Sequence, residues 1–159
     1  MKNLITIIVS MLCISTAYAE SGQVEFMSSG IVSIATNDFG DSKYSIANTR
    51  YITRVTSTNV SFFKIDSLST SQCLGIATSD SAGTNGSGTC LSTYADSEKW
   101  RFNYVRGEST PQLVNGTAEI IGMSGKFVNV KGSCKFEQTR LILDGVIHLS
   151  THNKCTVSN

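Results

Sequence analysis

The chain has 159 residues and a mass of 17.1 kDa, a size that predicts a single domain. Its formal net charge is +1 and charged residues make up 16% of it, so no basic nucleic-acid-binding surface or polybasic membrane segment is expected. Hydrophobic residues make up 40%, which excludes a disordered chain. The 40 serines and threonines, against a single proline, favour many short strands over long helices.

The first 19 residues have the features of a secretory signal peptide. Lys2 opens a short basic region, Leu4 to Ile14 form an apolar core, and Ala17-Tyr18-Ala19 matches the A-x-A cleavage pattern. Polar residues interrupt the apolar run, which is shorter than the ~20 residues that a membrane-spanning helix needs. We therefore predict an exported protein, periplasmic or secreted, in which residues 20–159 form one domain without a transmembrane segment.

Four cysteines follow the predicted signal peptide: Cys73, Cys90, Cys134 and Cys155. An even number of cysteines in an exported domain indicates two disulfides, and four cysteines allow three pairings. Local order favours Cys73 with Cys90 and Cys134 with Cys155, because each pair flanks a plausible turn or hairpin.

A metal site formed by His148, His152 and Cys155 is the alternative use of the last cysteine. The spacing H-x3-H-x2-C would suit a turn of helix, whereas this segment has the pattern of a strand end and a tail. The thiol is also expected to be oxidised. We predict no metal site.

Apolar residues alternate with a period near two along most of the chain, which is the pattern of half-buried strands. Segments with the strand pattern cover residues 24–26, 31–35, 44–55, 60–68, 73–78, 89–93, 100–105, 117–121, 127–136 and 141–149, and short neighbouring segments can belong to one strand. The predicted breaks are a loop of turn-forming residues at 79–88, a connection at 107–115, and turns at 95–97, 122–125 and 138–139. About eight or nine strands in one domain indicate a sandwich or a closed antiparallel barrel.

An outer-membrane barrel of this length would carry aromatic girdles around its lipid-facing surface. Aromatic residues make up only 8% of the chain, and four cysteines would be unusual there. The sequence therefore favours a barrel that is not embedded in a membrane. In its most aromatic strand, Trp100, Phe102 and Tyr104 fall at i, i+2 and i+4, so they share one face, which we predict to point inward.

Motifs for catalysis or cofactor binding are weak. Residues 83–88 have the G-x4-G outline of a phosphate loop, but Thr89 stands where lysine is required and no helix follows. Residues 61–64 match S-x-x-K, but they fall in a predicted strand and the partner motifs are missing. Glu119 and His148 each lie beside apolar residues, and strand register decides whether they face the lumen or water. We expect no cofactor, and we assign no catalytic residue.

Two stretches carry a family resemblance. Residues 73–100 contain C-L-G, then a glycine-rich segment, then G-S-G-T-C-L-S-T-Y-A-D-S-E-K-W, and residues 125–136 read G-K-F-V-N-V-K-G-S-C-K-F. Both resemble elements of small bacterial proteins similar to the allene oxide cyclase barrel, within the calycin-like group. Asn129 and Cys134 stand where that pattern has glycine. The resemblance implies an eight-stranded antiparallel barrel whose lumen can hold a small apolar molecule, and it brings no catalytic residue.

The main hypothesis is an exported, disulfide-stabilised barrel that binds a small apolar or amphipathic ligand. The candidate lumen residues are Trp100, Phe102, Tyr104, Glu119 and His148. One alternative, which the family resemblance suggests, is a cyclase or isomerase, and it would need a carboxylate or histidine such as Glu119 or His148 to face the cavity. Another is a surface or envelope interaction protein, which an exposed apolar patch or an uncovered edge strand would favour. The sequence leaves the oligomeric state open.

Overall fold

The computed structural model describes residues 19–81, 83–110 and 112–159, apart from the side chain of Glu108. Within these ranges the chain forms eight strands and one 3-10 turn: β1 (Ser21–Phe39), β2 (Ser42–Thr58), β3 (Leu68–Asp80), β4 (Gly83–Tyr94), β5 (Lys99–Ser109), β6 (Leu113–Gly122), the 3-10 turn (Gly125–Phe127), β7 (Lys131–Leu143) and β8 (Val146–Ser158). Each strand pairs antiparallel with the next, and β8 pairs with β1, so the sheet closes. The predicted fold class, an all-β antiparallel barrel of about eight strands, is confirmed.

Alternation along each strand divides the side chains between the lumen and the outer surface. In β8, for example, the odd-numbered residues from 149 to 157 are buried, and most of the even-numbered residues between them are exposed. Period-two patterning is therefore what gives the barrel a continuous interior.

Aromatic side chains fill one end of the barrel. The connection between β2 and β3, residues 59–67, carries Phe62 and Phe63, and both are buried. The Phe63 ring contacts Phe26 of β1 and Phe127 of the 3-10 turn, with ring centroids 5.2 and 5.1 Å apart. Trp100 of β5 stacks on Phe26 at 5.4 Å. These rings form a plug that closes this end of the lumen.

The strand predicted over residues 60–68 is therefore wrong. Consecutive Phe62 and Phe63 are both buried, which an alternating strand cannot achieve. The segment instead forms turns, in which the backbone N–H of Asp66 donates to the Val55 carbonyl at 2.9 Å and that of Ser67 donates to the Lys64 carbonyl at 3.1 Å.

Other boundaries also differ from the prediction. The predicted strands 24–26 and 31–35 merge into β1. The predicted loop at 79–88 belongs mostly to β3 and β4, because their ladder continues to the end of β3. The strand predicted over 127–136 begins only after the 3-10 turn. The turn predicted at 138–139 lies inside β7, and the chain reverses instead at Asp144-Gly145, whose φ values are 51° and 78°.

Two disulfides cross-link the barrel wall. Cys73–Cys90 joins β3 to β4, and Cys134–Cys155 joins β7 to β8, each between residues directly opposite in the ladder. The favoured pairing is confirmed, and two disulfides are typical of exported proteins. The predicted signal peptide lies outside the described residues except for Ala19. In the described part of the chain, no helix is long and apolar enough to cross a membrane.

Candidate functional site

Above the aromatic plug, the lumen holds a cavity that opens toward the hairpin ends of the barrel. The inner cavity has a volume of about 120 Å³ and reaches down to Phe26 and Trp100. An outer cavity of about 510 Å³ extends to Ser79 and Thr110, near the hairpin ends. An engineered apolar cavity of about 150 Å³ in another protein binds benzene, so the inner cavity suits a ring-sized or short-chain group.

Half of the inner wall carries a belt of hydroxyl groups. Ser28, Thr53, Ser71 and Ser92 lie on β1, β2, β3 and β4, and all four are buried. Neighbouring hydroxyls are 2.8, 3.5 and 2.7 Å apart in that order, so the belt largely satisfies its own hydrogen bonds. This part of the wall is polar, but its hydroxyl groups already bond to one another and do not need a ligand as hydrogen-bond partner.

Besides the Nε atoms of two arginines near the top, two buried polar atoms on the same cavity wall have no hydrogen-bond partner among the described residues. They are the Nε1 donor of Trp100 and the Oδ1 acceptor of Asn153. Because buried polar groups are nearly always hydrogen-bonded, water or a bound molecule is the natural partner for each. These two atoms offer one donor and one acceptor within a largely apolar surrounding.

Side chains near the top of the inner cavity form a polar layer. Gln138 Nε2 donates to the Tyr51 hydroxyl at 2.8 Å and to Thr151 Oγ1 at 3.1 Å. Burial raises the pKa of Tyr51 to about 12, and burial also raises the pKa of Tyr104. Both phenols are therefore neutral hydrogen-bonding groups at physiological pH.

Two arginines, Arg106 of β5 and Arg140 of β7, lie where the two cavities meet. Both line the inner and the outer cavity, and the Nε of each is buried without a hydrogen-bond partner in the described part of the chain. Burial lowers the pKa of Arg106, and the nearby positive charge of Arg140 lowers it further. The guanidinium groups thus place positive charge inside the barrel.

The structure brings together three of the five predicted lumen residues. Trp100, Phe102 and Tyr104 all line the inner cavity. Glu119 and His148 do not, because both are exposed on the outer surface. The buried neighbours of Glu119 in β6 and the partly or fully buried neighbours of His148 in β8 take the inward positions, and alternation places these two residues outside.

The metal alternative also fails on geometry. Cys155 is bonded to Cys134, and His152 Nε2 lies 2.9 Å from a carboxylate oxygen of Glu25 on the outer surface. The described residues contain no group of three or more His, Cys, Asp or Glu side chains that could hold a metal ion.

Sequence reasoning missed the arginines, Asn153 and Tyr51. The stripe Trp100, Phe102, Tyr104 continues by alternation to Arg106, so that residue could have been found from the same pattern. Arg140 could not have been found in this way, because it falls between two predicted strands, after the turn predicted at 138–139.

These features define a class: a closed eight-stranded antiparallel barrel, cross-linked by two disulfides, plugged at one end and hollow toward the other. Comparison with protein-family models, with curated proteins and with solved structures finds no significant match to the chain.

Proposed function

We propose that this protein is an exported barrel that binds a small apolar or amphipathic molecule in its lumen. The observation that carries the proposal is the cavity between the aromatic plug and the hairpin ends, with Trp100 and Phe102 in its wall. A pocket that is apolar in most of its wall, with a few convergent polar groups, is the usual form of a small-molecule site. Membership of the allene oxide cyclase-like group is part of this proposal and would imply the same use of the lumen.

The wall chemistry supports a ligand with both apolar and polar parts. Phe26, Phe136 and Leu149 provide apolar surface, whereas Trp100 Nε1 and Asn153 Oδ1 provide a free donor and acceptor. A purely aliphatic ligand would leave these two atoms unpaired, which costs free energy in a site shielded from water. An amphipathic ligand satisfies both kinds of surface.

Native mass spectrometry of the protein expressed from its full chain and purified under gentle conditions tests the proposal, together with a titration with benzyl alcohol. Trp100 is the single tryptophan, so its fluorescence reports directly on the inner cavity. Ala47→Phe should fill the junction of the two cavities and abolish the response, since Ala47 lines both. Ala35→Phe is the matched control, because Ala35 is exposed on the neighbouring strand.

We expect a co-purifying small molecule or a saturable fluorescence change in the wild type and in Ala35→Phe, and neither in Ala47→Phe. A wild-type protein with no bound molecule and no response to benzyl alcohol or to its charged analogues benzoate and phenyl phosphate would overturn the proposal. An equal response from Ala47→Phe would do the same, because binding would then lie outside the lumen.

The residues on which the enzyme alternative depended do not face the lumen. It required Glu119 or His148 in the lumen, and both are exposed outside it. Neither cavity is lined by Asp, Glu or His among the described residues. General acid or base chemistry in the lumen would therefore have to come from the phenols or the arginines.

A surface interaction is the second candidate, and one observation favours it. The β7–β8 hairpin exposes a run of large apolar side chains at its end: Leu141, Ile142, Leu143 and Val146. The closed sheet leaves no unpaired edge strand among the described strands, so contact through a free edge is disfavoured. Ile142→Ser should leave the Trp100 response to benzyl alcohol intact if the hairpin serves a separate contact.

A further inference from the structure

We infer that the ligand carries an oxyanion and that Arg106 and Arg140 hold it where the inner and outer cavities meet. This inference rests on the proposed function, since it assigns the chemical class of the molecule that enters the lumen. The site comprises two guanidinium groups, with the Tyr104 side chain in the wall beside Arg106.

The first argument is the lack of a counter-charge. Neither arginine forms an ion pair with a described residue, whereas Arg54 pairs with Asp66 on the outer surface. No Asp or Glu lines either cavity among the described residues. Arg106 and Arg140 are partly buried, with their Nε atoms fully so, and an unpaired charge in such a setting is costly. Two like charges side by side raise that cost. An anion bound between them would offset both penalties.

The second argument is hydrogen-bonding capacity. A guanidinium group has five N–H donors in a planar fork that fits carboxylate, phosphate or sulfate oxygens. The Nε donors of Arg106 and Arg140 are buried and have no partner in the described ranges. Tyr104 lines the same wall, but a phenol with the ordinary pKa of 10.0 is already neutral at physiological pH and burial raises its pKa further, so it cannot serve as the counter-ion. A bound ligand with oxygen acceptors would supply the hydrogen bonds that these two Nε donors lack within the described chain.

The third argument is that the barrel wall makes space for this arrangement. A side chain at Gly86 of β4 would contact the Cδ atom of Arg106 at 2.9 Å, so glycine there leaves room for the arginine stem. In phosphate-binding loops, glycine leaves space for the ligand itself. Here glycine leaves space for the arginine side chain that would bind the ligand. Glycine at position 86 thus accommodates the Arg106 stem together with the Ile76 carbonyl, whose oxygen would lie 3.0 Å from an added Cβ.

The cavity dimensions limit the rest of the ligand. Below the arginines, the inner cavity of about 120 Å³ accepts a ring or a short chain. Above them, the outer cavity of about 510 Å³ leaves room for a substituent. The class that fits is a small organic acid in which a carboxylate, phosphate or sulfate is attached to a ring-sized apolar group.

Benzoate, phenyl phosphate and benzyl alcohol test this class, because they share one ring and differ in charge. Binding is followed by Trp100 fluorescence and by calorimetry at low ionic strength, in the wild type, Arg106→Gln and Arg140→Gln. Arg101→Gln is the matched control, since Arg101 lies on the same strand as Arg106 but is exposed outside. Circular dichroism verifies that each variant is folded.

We expect benzoate or phenyl phosphate to bind at least tenfold more tightly than benzyl alcohol in the wild type and in Arg101→Gln. Each lumen variant should lose that advantage while benzyl alcohol binding stays within about threefold. The ratio of benzoate to phenyl phosphate affinity then distinguishes a carboxylate from a phosphate ligand.

The outcomes separate this inference from the proposed function. Equal affinity for benzyl alcohol and both anions in the wild type overturns the oxyanion inference and leaves the lumen site standing, and this comparison needs no variant. No binding of any of the three overturns both. Inorganic phosphate that binds as tightly as phenyl phosphate, through the same arginines, supports the anion site and overturns the apolar half of the proposed function.

Discussion

The hydroxyl of Tyr104, on β5, lies where a side chain at Gly88, on β4, would project. Gly75, directly opposite Gly88 in the ladder of β3 and β4, faces the same hydroxyl. Two paired glycines thus form a notch in the barrel wall, and the phenol ring lies over it. This notch keeps Tyr104 against the wall and leaves the centre of the lumen open.

Gly88→Ala should destabilise the fold by about 1–3 kcal/mol, because the new methyl group would displace Tyr104 or the neighbouring backbone. Urea denaturation measures this loss. Gly107→Ala is the matched control, since a methyl group added there would lie 3.5 Å from its nearest neighbour, an ordinary contact distance. A loss in Gly88→Ala no greater than that in Gly107→Ala would contradict the role of the notch.

Phe63→Ala should cost about 3–5 kcal/mol of stability, because the ring is buried and contacts Phe26, Trp100 and Phe127. The same truncation at Ile65, which is half exposed in the same connection, should cost less than about 0.5 kcal/mol. Thermal or urea unfolding compares the two. Similar losses at both positions would mean that the aromatic plug does not stabilise the closed end.

The barrel could be predicted from the sequence because period-two alternation is a property of each strand and does not depend on its neighbours. The ends of the strands could not be predicted in this way. The cluster at residues 79–88 is rich in turn formers, yet the ladder of β3 and β4 continues through most of it, because paired backbone hydrogen bonds outweigh local turn preference. Asp144-Gly145 is itself a signal for a two-residue hairpin turn, which the predicted strand over 141–149 passes through.

Removing either disulfide should lower the free energy of unfolding by about 3 kcal/mol, since each closes a loop of similar length, with sequence separations of 17 and 21 residues. The variants are Cys73→Ala with Cys90→Ala, and Cys134→Ala with Cys155→Ala, so that no free thiol remains. All four cysteines are buried, but only Cys134 and Cys155 pack within the hydrophobic core cluster, so their pair should show the larger loss. Unchanged urea midpoints in both double variants would contradict this expectation.

The candidate site was harder to predict than the fold, because a lumen is made by side chains from strands that are far apart in sequence. Trp100, Phe102 and Tyr104 could be grouped since they share one strand. Arg140 joins Arg106 only after the register of β6 and β7 places their strands around one cavity. Alternation by itself did not decide whether Glu119 faces the lumen or the outer surface. In the structure its neighbour Ile120 is buried, so Glu119 faces outward.

The stability of the barrel should fall as the pH rises from about 10 to about 12. Burial raises the pKa of Tyr94 to about 12, from an ordinary value of 10.0. Between these values the unfolded chain loses the phenol proton and the folded chain keeps it, so ionisation favours unfolding. The shift corresponds to about 2–3 kcal/mol, lost as the pH passes through this window. Tyr94→Phe should remove this contribution, although Tyr51, whose pKa is also about 12, keeps its own. Urea unfolding at pH values of about 8, 10 and 11 measures the slope, and equal slopes in the wild type and Tyr94→Phe would contradict the assignment.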